Sequence, residues 1–228
     1  MPLPISLGKP KTMDNATDKK RDQTLGEEIA NSISHGVGVL AAISVTPFLV
    51  MEAIPLGAAA ITGAGIFAMT MILLYLASTL YHAFPQSKTK RVFRIFDHSA
   101  IFLLIAGTYT PFTLTVLPGA WGWPLFGVIW VLAIAGVVLK SVRHVGAGKL
   151  SMALYLGMGW LALLAAKPLY DTLPAWGLFW LIAGGVMYSV GVIFFAYDHR
   201  VRYYHFVWHL FVLGGTACHV VAVLGYAF

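Results

Sequence analysis

Three histidines and one aspartate lie at the ends of long apolar segments, where ionisable side chains are costly. They are His82, Asp97, His205 and His209. His205 and His209 are four residues apart, so one face of a helix presents both imidazoles, about 6 Å apart along its axis. An ionisable group at membrane depth indicates a functional site. Three neutral imidazoles bind zinc without adding negative charge and leave one coordination position open.

The chemistry that such residues favour is hydrolysis. Zinc lowers the pKa of a bound water from about 15.7 to about 7, and a carboxylate such as Asp97 either ligates the metal or holds that water and moves its proton. Ser78 lies one turn before His82 on the same face and is predicted to orient the imidazole or a water. A proton relay or cation pathway uses the same residue types, and imidazole suits other divalent ions. The residues alone leave these alternatives open.

The elements that must position these side chains are membrane-spanning helices. Of the 228 residues, 59% are hydrophobic and 11% are charged, whereas a soluble domain carries about 25% charged residues. The mean hydropathy is +0.79. Seven mostly apolar segments are long enough to span a membrane, at approximately 32–51, 58–82, 97–117, 121–140, 150–168, 176–197 and 204–226.

The sequence therefore predicts an all-α, polytopic membrane protein with a single seven-helix bundle over residues 24–228. The fifth segment is the weakest, because Lys167 and Pro168 cut it short. Residues 1–23 are expected to form a polar, disordered cytoplasmic tail, and the first 30 residues lack the pattern of a removable signal peptide. The single cysteine, Cys218, excludes an intramolecular disulfide and a cysteine metal cluster.

The distribution of Lys and Arg predicts the orientation in the membrane. Of these 15 residues, all except Lys167 lie in the N-terminal tail or in the loops after the second, fourth and sixth segments. The N-terminus is therefore predicted to be cytoplasmic and the C-terminus outside, in the inner (plasma) membrane. On this topology the four opening residues share the cytoplasmic side. The bias and anionic lipid headgroups also account for the net charge of +6, so no nucleic-acid partner is required.

A polar stripe enters the first helix from the same side. It consists of Glu27 or Glu28, Asn31 and His35, whose spacing of three to four residues places them on one face. Helix capping by the two glutamates is an alternative of equal weight. The pattern therefore indicates either a structural turn or a further part of the polar site.

Four more histidines have less specific interpretations. His219 lies ten residues beyond His209, about 15 Å deeper, so it cannot share the same metal. For His219 we favour an interhelical hydrogen bond. His98, His144 and His199 lie near basic loops and are expected to be solvated or to face lipid headgroups.

Three motifs together resemble the hemolysin III family, the bacterial branch of the progestin and adiponectin receptor (PAQR) proteins. They are Ser78-x-x-x-His82, the run 96–111 that begins Phe-Asp-His-Ser, and His205-x-x-x-His209 followed by His219. The polar entry to the first helix is also similar to that family. The resemblance covers the chain from about residue 24 to its end.

The resemblance implies seven transmembrane helices, a cytoplasmic N-terminus and an intramembrane zinc near the cytoplasmic side. His82, His205 and His209 would then be the metal ligands, Asp97 would hold the metal-bound water, and Ser78 would support it. The adiponectin receptors are linked to ceramide hydrolysis, and the wider superfamily includes alkaline ceramidases. Bacterial members are linked to membrane-lipid homeostasis.

We therefore expect a zinc-dependent hydrolase of a lipid amide or ester, with membrane lipids as its partners. The alternative is a non-enzymatic, zinc-stabilised membrane sensor or receptor-like regulator. A cytolytic hemolysin is less favoured, because no amphipathic segment is poised to change from a soluble to an inserted state. The sequence specifies neither the lipid nor the oligomeric state.

Overall fold

The computed structural model describes residues 21–117, 119–143 and 149–228, and this part of the chain is almost entirely helical, with no β-strand. Two of its helices, α5 and α6, are short and follow one another closely. The helices are α1 (Leu25–Ala53), α2 (Ala58–Ala83), α3 (Lys88–Pro111), α4 (Gly122–Arg143), α5 (Lys149–Gly159), α6 (Ala166–Thr172), α7 (Ala175–Tyr197) and α8 (Tyr204–Tyr226).

Seven helical segments in the described part of the chain are long and apolar enough to cross a membrane. Six of them correspond to α1, α2, α3, α4, α7 and α8, and the remaining one joins α5 to α6. The predicted all-α fold with seven spans is confirmed. The orientation of the termini stays a prediction, and residues 1–20 of the expected disordered tail lie outside the described residues.

Two spans begin earlier than their apolar segments. α1 begins at Leu25 rather than near residue 32, because Thr24 and Glu27 form a capping box in which each side chain accepts from the other's backbone N–H. α3 begins at Lys88 rather than at residue 97, with the Ser87 hydroxyl accepting from the N–H of Lys90. The apolar segments mark the lipid-crossing parts, whereas the caps fix where each helix starts. The additional turns carry polar side chains to the site.

The fifth span, which the sequence indicated as the weakest, is interrupted before Lys167 and Pro168 rather than at them. α5 ends at Gly159, a 3-10 turn occupies Leu161–Ala165, and α6 begins at Ala166. Pro168 lies in the first turn of α6, where its missing N–H and fixed φ are tolerated but where it cannot continue an α-helix from α5. Pro168 therefore accounts for the missing α-helical hydrogen bond to the carbonyl of Leu164, whereas α5 already ends at Gly159.

A tyrosine on α3 satisfies the backbone groups that this break releases. The Tyr109 hydroxyl accepts from the N–H of Ala162 at 2.8 Å, and it donates toward the carbonyls of Met158 and Gly159, each at 2.9 Å. Unpaired backbone groups are strongly disfavoured at membrane depth, unless protein or a cavity surrounds them. Tyr109 thus holds the interrupted span against α3.

Close helix contacts bring the polar ends of the helices together. On α1, a side chain at Gly38 would lie only 2.8 Å from Tyr75 of α2 and Leu213 of α8. Small residues at such crossings allow the backbones of membrane helices to approach. As a result, the beginning of α1, the end of α2 and the beginning of α8 meet at one end of the bundle, with the apolar core beyond them.

Candidate metal centre

The imidazoles of His82, His205 and His209 meet at this end of the bundle. Each offers one nitrogen, and these atoms all lie within 4.8 Å of one another. The ring centroids are 5.1 Å apart for both pairs that include His82 and 4.8 Å apart for His205 and His209. The residues are only 4%, 9% and 1% exposed, respectively. The structure therefore brings together one side chain from α2 and two from α8.

Two of the rings are oriented by carboxylates. Nδ1 of His82 donates to Glu28 at 2.7 Å, and Nδ1 of His205 donates to Asp198 at 2.8 Å. A carboxylate can only accept, so the ring proton of each imidazole lies on Nδ1 and its Nε2 atom keeps a free lone pair. Metal-ligating histidines commonly have such a partner on the other nitrogen. Nε2 of His82 is buried and has no hydrogen-bond partner among the described residues.

The third ring is oriented by the backbone of α1. Nδ1 of His209 lies 3.2 Å from the carbonyl oxygen of Asn31 and 3.1 Å from the hydroxyl of Ser34. Ser34 donates its own proton to the same carbonyl at 2.8 Å. The carbonyl can only accept, so the proton of His209 also lies on Nδ1. All three rings then present Nε2 to a common centre.

This arrangement fits a divalent metal ion of the zinc type. Three neutral nitrogen donors with one open position are the ligand set of many catalytic zinc sites. With Zn–N bonds of about 2.1 Å, rings whose donor atoms lie within 4.8 Å of one another reach a common ion through small side-chain rotations. The unpartnered, buried Nε2 of His82 is itself a polar atom that such an ion would satisfy.

Asp97 and Ser78 lie beside the histidines. Asp97 is 7% exposed, interacts electrostatically with His205, and lies close to Ser78. It also lines a cavity with His205 and His209. The Ser78 hydroxyl is fully buried and interacts with the Asp97 carboxylate. Because α3 starts at Lys88, Asp97 lies nine residues inside that helix rather than at its beginning.

His35 stacks on one of the candidate ligands. Its ring is parallel to that of His209, with 3.6 Å between the centroids and 4° between the planes, and it meets Tyr75 edge-on at 5.1 Å. Both ring nitrogens of His35 are buried without a hydrogen-bond partner within the described residues. The sequence placed His35 on the polar stripe of α1 but gave it no role. The structure makes it one wall of the site.

The two glutamates of the stripe have different contacts, so both interpretations of the stripe apply. Glu27 completes the α1 capping box, and its carboxylate accepts hydrogen bonds from Nη1 and Nη2 of Arg21, each at 2.7 Å. It also accepts from the N–H of Tyr203 at 2.8 Å. This pairing raises the pKa of Arg21 above its ordinary value. Glu27 thus joins the start of α1 to the residue that precedes α8.

Glu28 belongs to the histidine site itself. One carboxylate oxygen accepts from His82, and the other accepts from the ammonium of Lys90 at 2.8 Å. Lys90 is only 4% exposed; it also donates to the carbonyl of Phe84 at 3.1 Å and lies over the ring of Tyr81. The buried cation therefore balances the carboxylate that orients His82.

Asp198 is a partner of the site that sequence reasoning missed. It lies in the connection between α7 and α8, seven residues before His205, beside His199 and Arg200. No periodicity links a loop residue to a helix face, so its spacing carried no signal. A carboxylate six residues before the helix that carries the two histidines was the available indication.

The four remaining histidines were predicted to make an interhelical hydrogen bond or to be solvated or headgroup-facing. Nε2 of His219 donates to the carbonyl of Leu181 on α7 at 3.1 Å, which is the expected interhelical bond. His98, expected to be solvated or to face headgroups, is instead 9% exposed. The expectation of a solvated side chain was wrong, because α3 starts nine residues earlier and His98 is buried in the bundle, although it also lines a basic pocket at this end. His199 is half-buried, and His144 lies outside the described residues.

An apolar cavity leads away from the histidines. A space of about 100 Å³ borders His35, Asp97, His205 and His209. A larger space of about 610 Å³ continues along the interrupted fifth span. Six residues line both spaces: Thr108, Tyr109, Gly159, Trp160, Gly185 and His219. The polar site therefore opens onto a long apolar volume within the bundle.

Comparison with known proteins agrees with this architecture. The family described as Haemolysin-III related matches residues 23–220. The chain is 46% identical over 205 residues to Hemolysin-3 of Bacillus cereus, covering 90% of this chain and 93% of that protein. It is 47% identical over 204 residues to the Hemolysin-3 homolog of Bacillus subtilis (strain 168), covering 89% and 95%.

A more distant relative connects the chain to the wider receptor group. The human monocyte to macrophage differentiation factor is 28% identical over 170 residues, covering 72% of this chain and 70% of that protein. This similarity supports the PAQR branch that the sequence motifs resemble. With its seven apolar spans, the chain is a multi-pass membrane protein that belongs to the haemolysin-III-related family.

Proposed function

We propose that this protein is a zinc-dependent hydrolase that cleaves a lipid amide or ester inside the membrane. The observation that carries the proposal is the set of three clustered imidazoles, each of which has Nδ1 engaged and so keeps Nε2 for a metal. A lipid substrate is supported by the apolar space of about 100 Å³ beside these rings, which shares six lining residues with a further space of about 610 Å³ along the fifth span. The larger volume is in the range of ligand pockets, about 300–1,000 Å³.

Zinc held by His82, His205 and His209 would supply a Lewis acid for the carbonyl of the substrate. Hydrolysis breaks the acyl C–N or C–O bond and adds the hydroxyl of water to the acyl carbon. We assign the remaining proton transfer to the carboxylate of Asp97, which takes a proton from water and delivers it to the leaving nitrogen or oxygen. Ser78 is assigned the role of orienting Asp97 or a water through its buried hydroxyl.

The remaining features of the proposal concern the setting of the site. We place residues 24–228 in one transmembrane domain with a cytoplasmic N-terminus, in the inner (plasma) membrane, so that the histidines face the cytoplasmic leaflet. The distribution of basic residues supports this orientation. Membrane lipids would be both the surroundings of the protein and the source of its substrate.

The test is metal analysis combined with a lipid assay on purified protein in nanodiscs. We expect about one zinc per chain and fatty acid release from one class in a panel of ceramides and phospholipids, followed by mass spectrometry. Asp97→Asn should keep the zinc and lose turnover by at least about 100-fold. Stoichiometric zinc with no fatty acid released from any lipid of the panel would overturn the proposal.

A second candidate is a non-enzymatic regulator in which zinc stabilises the bundle. It is favoured because the histidines and their partners lie on α1, α2, α8 and the loop before α8, so one ion would connect several helices. In that case His209→Ala lowers both thermal stability and signalling, whereas Asp97→Asn leaves both nearly unchanged. Loss of turnover in a folded, zinc-loaded Asp97→Asn protein distinguishes the hydrolase.

A further inference from the structure

A further pocket lies between α3 and α4, at the end of the bundle that holds the histidine cluster. It has a volume of about 300 Å³. Its lining is strongly basic and contains no carboxylate among the described residues: Lys88, Arg91, Val92, Arg94, Ile95, His98 and Lys140. The pocket is distinct from the histidine cluster, since His98 alone lines both this pocket and the cavity beside that cluster.

The basic side chains converge because of helix periodicity. Lys88, Arg91, Ile95 and His98 follow one another at intervals of three, four and three residues, so they share one face of α3. Arg94 flanks that face, and Lys140 approaches it from α4. Lys140 is only 2% exposed, so the wall that it contributes is an internal part of the bundle.

Three of the basic side chains in this pocket lack a dedicated carboxylate among the described residues. Lys88, Arg91 and Arg94 make no side-chain hydrogen bond or ion pair with any other residue that the structure describes. The carboxylate of Asp97 does not line this pocket, but it interacts electrostatically with Arg94 and Lys140. Other cations at this end of the bundle have dedicated partners, as Arg21 has Glu27 and Lys90 has Glu28.

The chemistry of the lining matches a phosphate group. Guanidinium groups bind phosphate oxygens through paired hydrogen bonds, and an ammonium adds a point charge. The pocket is bordered by Val92 and Ile95, and exposed apolar side chains such as Phe96 and Val142 continue along the lipid-facing sides of α3 and α4. A phosphate with acyl chains attached can contact both surfaces, and basic pockets between membrane helices suit lipid headgroups.

We infer that this basic pocket binds the phosphate headgroup of an anionic phospholipid. The inference does not depend on hydrolysis at the histidine cluster, because it concerns binding at a separate pocket. The shared chemistry is the phosphate group, which inorganic phosphate also carries. The experiment must therefore separate the lipid from the free ion.

Native mass spectrometry of full-length protein in neutral detergent can count retained lipids during titration with phosphatidylglycerol or with phosphatidylcholine. We expect one phosphatidylglycerol to be retained at concentrations where phosphatidylcholine is not. Arg91→Gln combined with Arg94→Gln should weaken this binding by at least about tenfold, because two charge-assisted contacts are lost. Both residues are exposed, so the fold should be kept, and circular dichroism and gel filtration would verify it.

Arg200→Gln combined with Arg202→Gln is the matched control, because both residues are exposed and lie outside the pocket in the α7–α8 connection. This pair removes the same charge and should change the affinity by less than about twofold. An equal loss in the control, or no loss in the Arg91 and Arg94 pair, would overturn the inference. A second pair, Lys88→Gln with Arg91→Gln, should repeat the loss.

Titration with inorganic phosphate identifies the source of the phosphate group. We expect millimolar inorganic phosphate neither to raise the melting temperature nor to displace the retained phosphatidylglycerol by more than about twofold. Stabilisation by inorganic phosphate that disappears in the Arg91 and Arg94 pair, without a preference for phosphatidylglycerol, would assign the pocket to the free ion. That outcome would overturn the lipid assignment.

Discussion

The imidazole of His35 lies face to face with that of His209, with 3.6 Å between the ring centroids and 4° between their planes. His35 is on α1 and supplies none of the three clustered nitrogens. It nevertheless covers one face of the His209 ring. The first span of the protein therefore takes part in the geometry of a site whose candidate ligands come from α2 and α8.

The stack predicts how His35 variants bind metal. His35→Phe keeps a flat ring against His209 and should leave zinc affinity within about threefold of the original protein, whereas His35→Ala should lower it by about tenfold, as for other residues that support a ligand. Competition with a fluorescent chelator on the purified protein measures both values. Equal losses in the two variants would show that the ring nitrogens of His35, rather than its flat surface, matter for metal binding.

A second prediction concerns the buried pair of Glu28 and Lys90. Glu28→Gln keeps an oxygen for Nδ1 of His82 but leaves the ammonium of Lys90 without a carboxylate. Breaking a fully buried pair costs about 3–5 kcal/mol. Because the Glu28 side chain is 17% exposed, we expect a smaller loss, about 2 kcal/mol in the free energy of unfolding.

The double variant Glu28→Gln with Lys90→Met separates charge from shape at this position. It removes the unpaired cation, so at least half of the lost stability should return. Reversible unfolding in detergent mixtures, with the two single variants and the double variant in one cycle, gives the coupling between the side chains. A double variant no more stable than Glu28→Gln would contradict the assigned ion pair.

Glu27 should matter for stability rather than for direct metal binding. Its carboxylate is 2% exposed and accepts from Arg21, Thr24 and the backbone of Tyr203. Glu27→Ala leaves these donors unpaired, so we expect a loss of about 3 kcal/mol. Glu52→Ala is the control, since Glu52 is an exposed carboxylate near the other end of α1, and it should change stability by less than about 0.5 kcal/mol. Thermal melting of both variants tests the difference.

The interrupted fifth span depends on one hydroxyl. Tyr109→Phe removes the group that accepts from Ala162 and donates toward the end of α5. We expect a loss of about 1–3 kcal/mol, because buried backbone groups are left without a partner. Tyr170→Phe is the matched control, since its side chain lies in α6 and is 74% exposed. Hydrogen exchange over residues 158–165 should increase in Tyr109→Phe and stay unchanged in the control.

Much of the helical architecture could be predicted, because only a long apolar segment can cross a membrane as a helix. The length of the apolar segments indicated seven spans, and Lys167 and Pro168 marked the fifth as the weakest, although its interruption at Leu161–Ala165 lies before them. The beginning of α3 could not be read from hydropathy, because its first nine residues include Lys88, Arg91 and Arg94. Those turns are fixed by the Ser87 cap, and missing them led to the wrong environment for His98.

The histidine cluster was easier to anticipate than its support. Spacing and loop charge indicated that His82, His205 and His209 occupy one side of the membrane, and the structure brings their rings together. The partners of those rings depend on tertiary contacts. Asp198 lies in a loop, and the carbonyl of Asn31 belongs to the backbone, so neither has a side-chain pattern that a single sequence reveals.

The origin of the rings and their partners also has a consequence for the biogenesis of the protein. One ring is on α2 and two are on α8, while Glu28 and Asn31 are on α1. Synthesis proceeds from the N-terminus, so α8 leaves the ribosome well after α1 and α2. The complete set of donor atoms exists only after α8 has been inserted beside those two helices. Metal loading would thus distinguish a chain that includes α8 from every shorter intermediate.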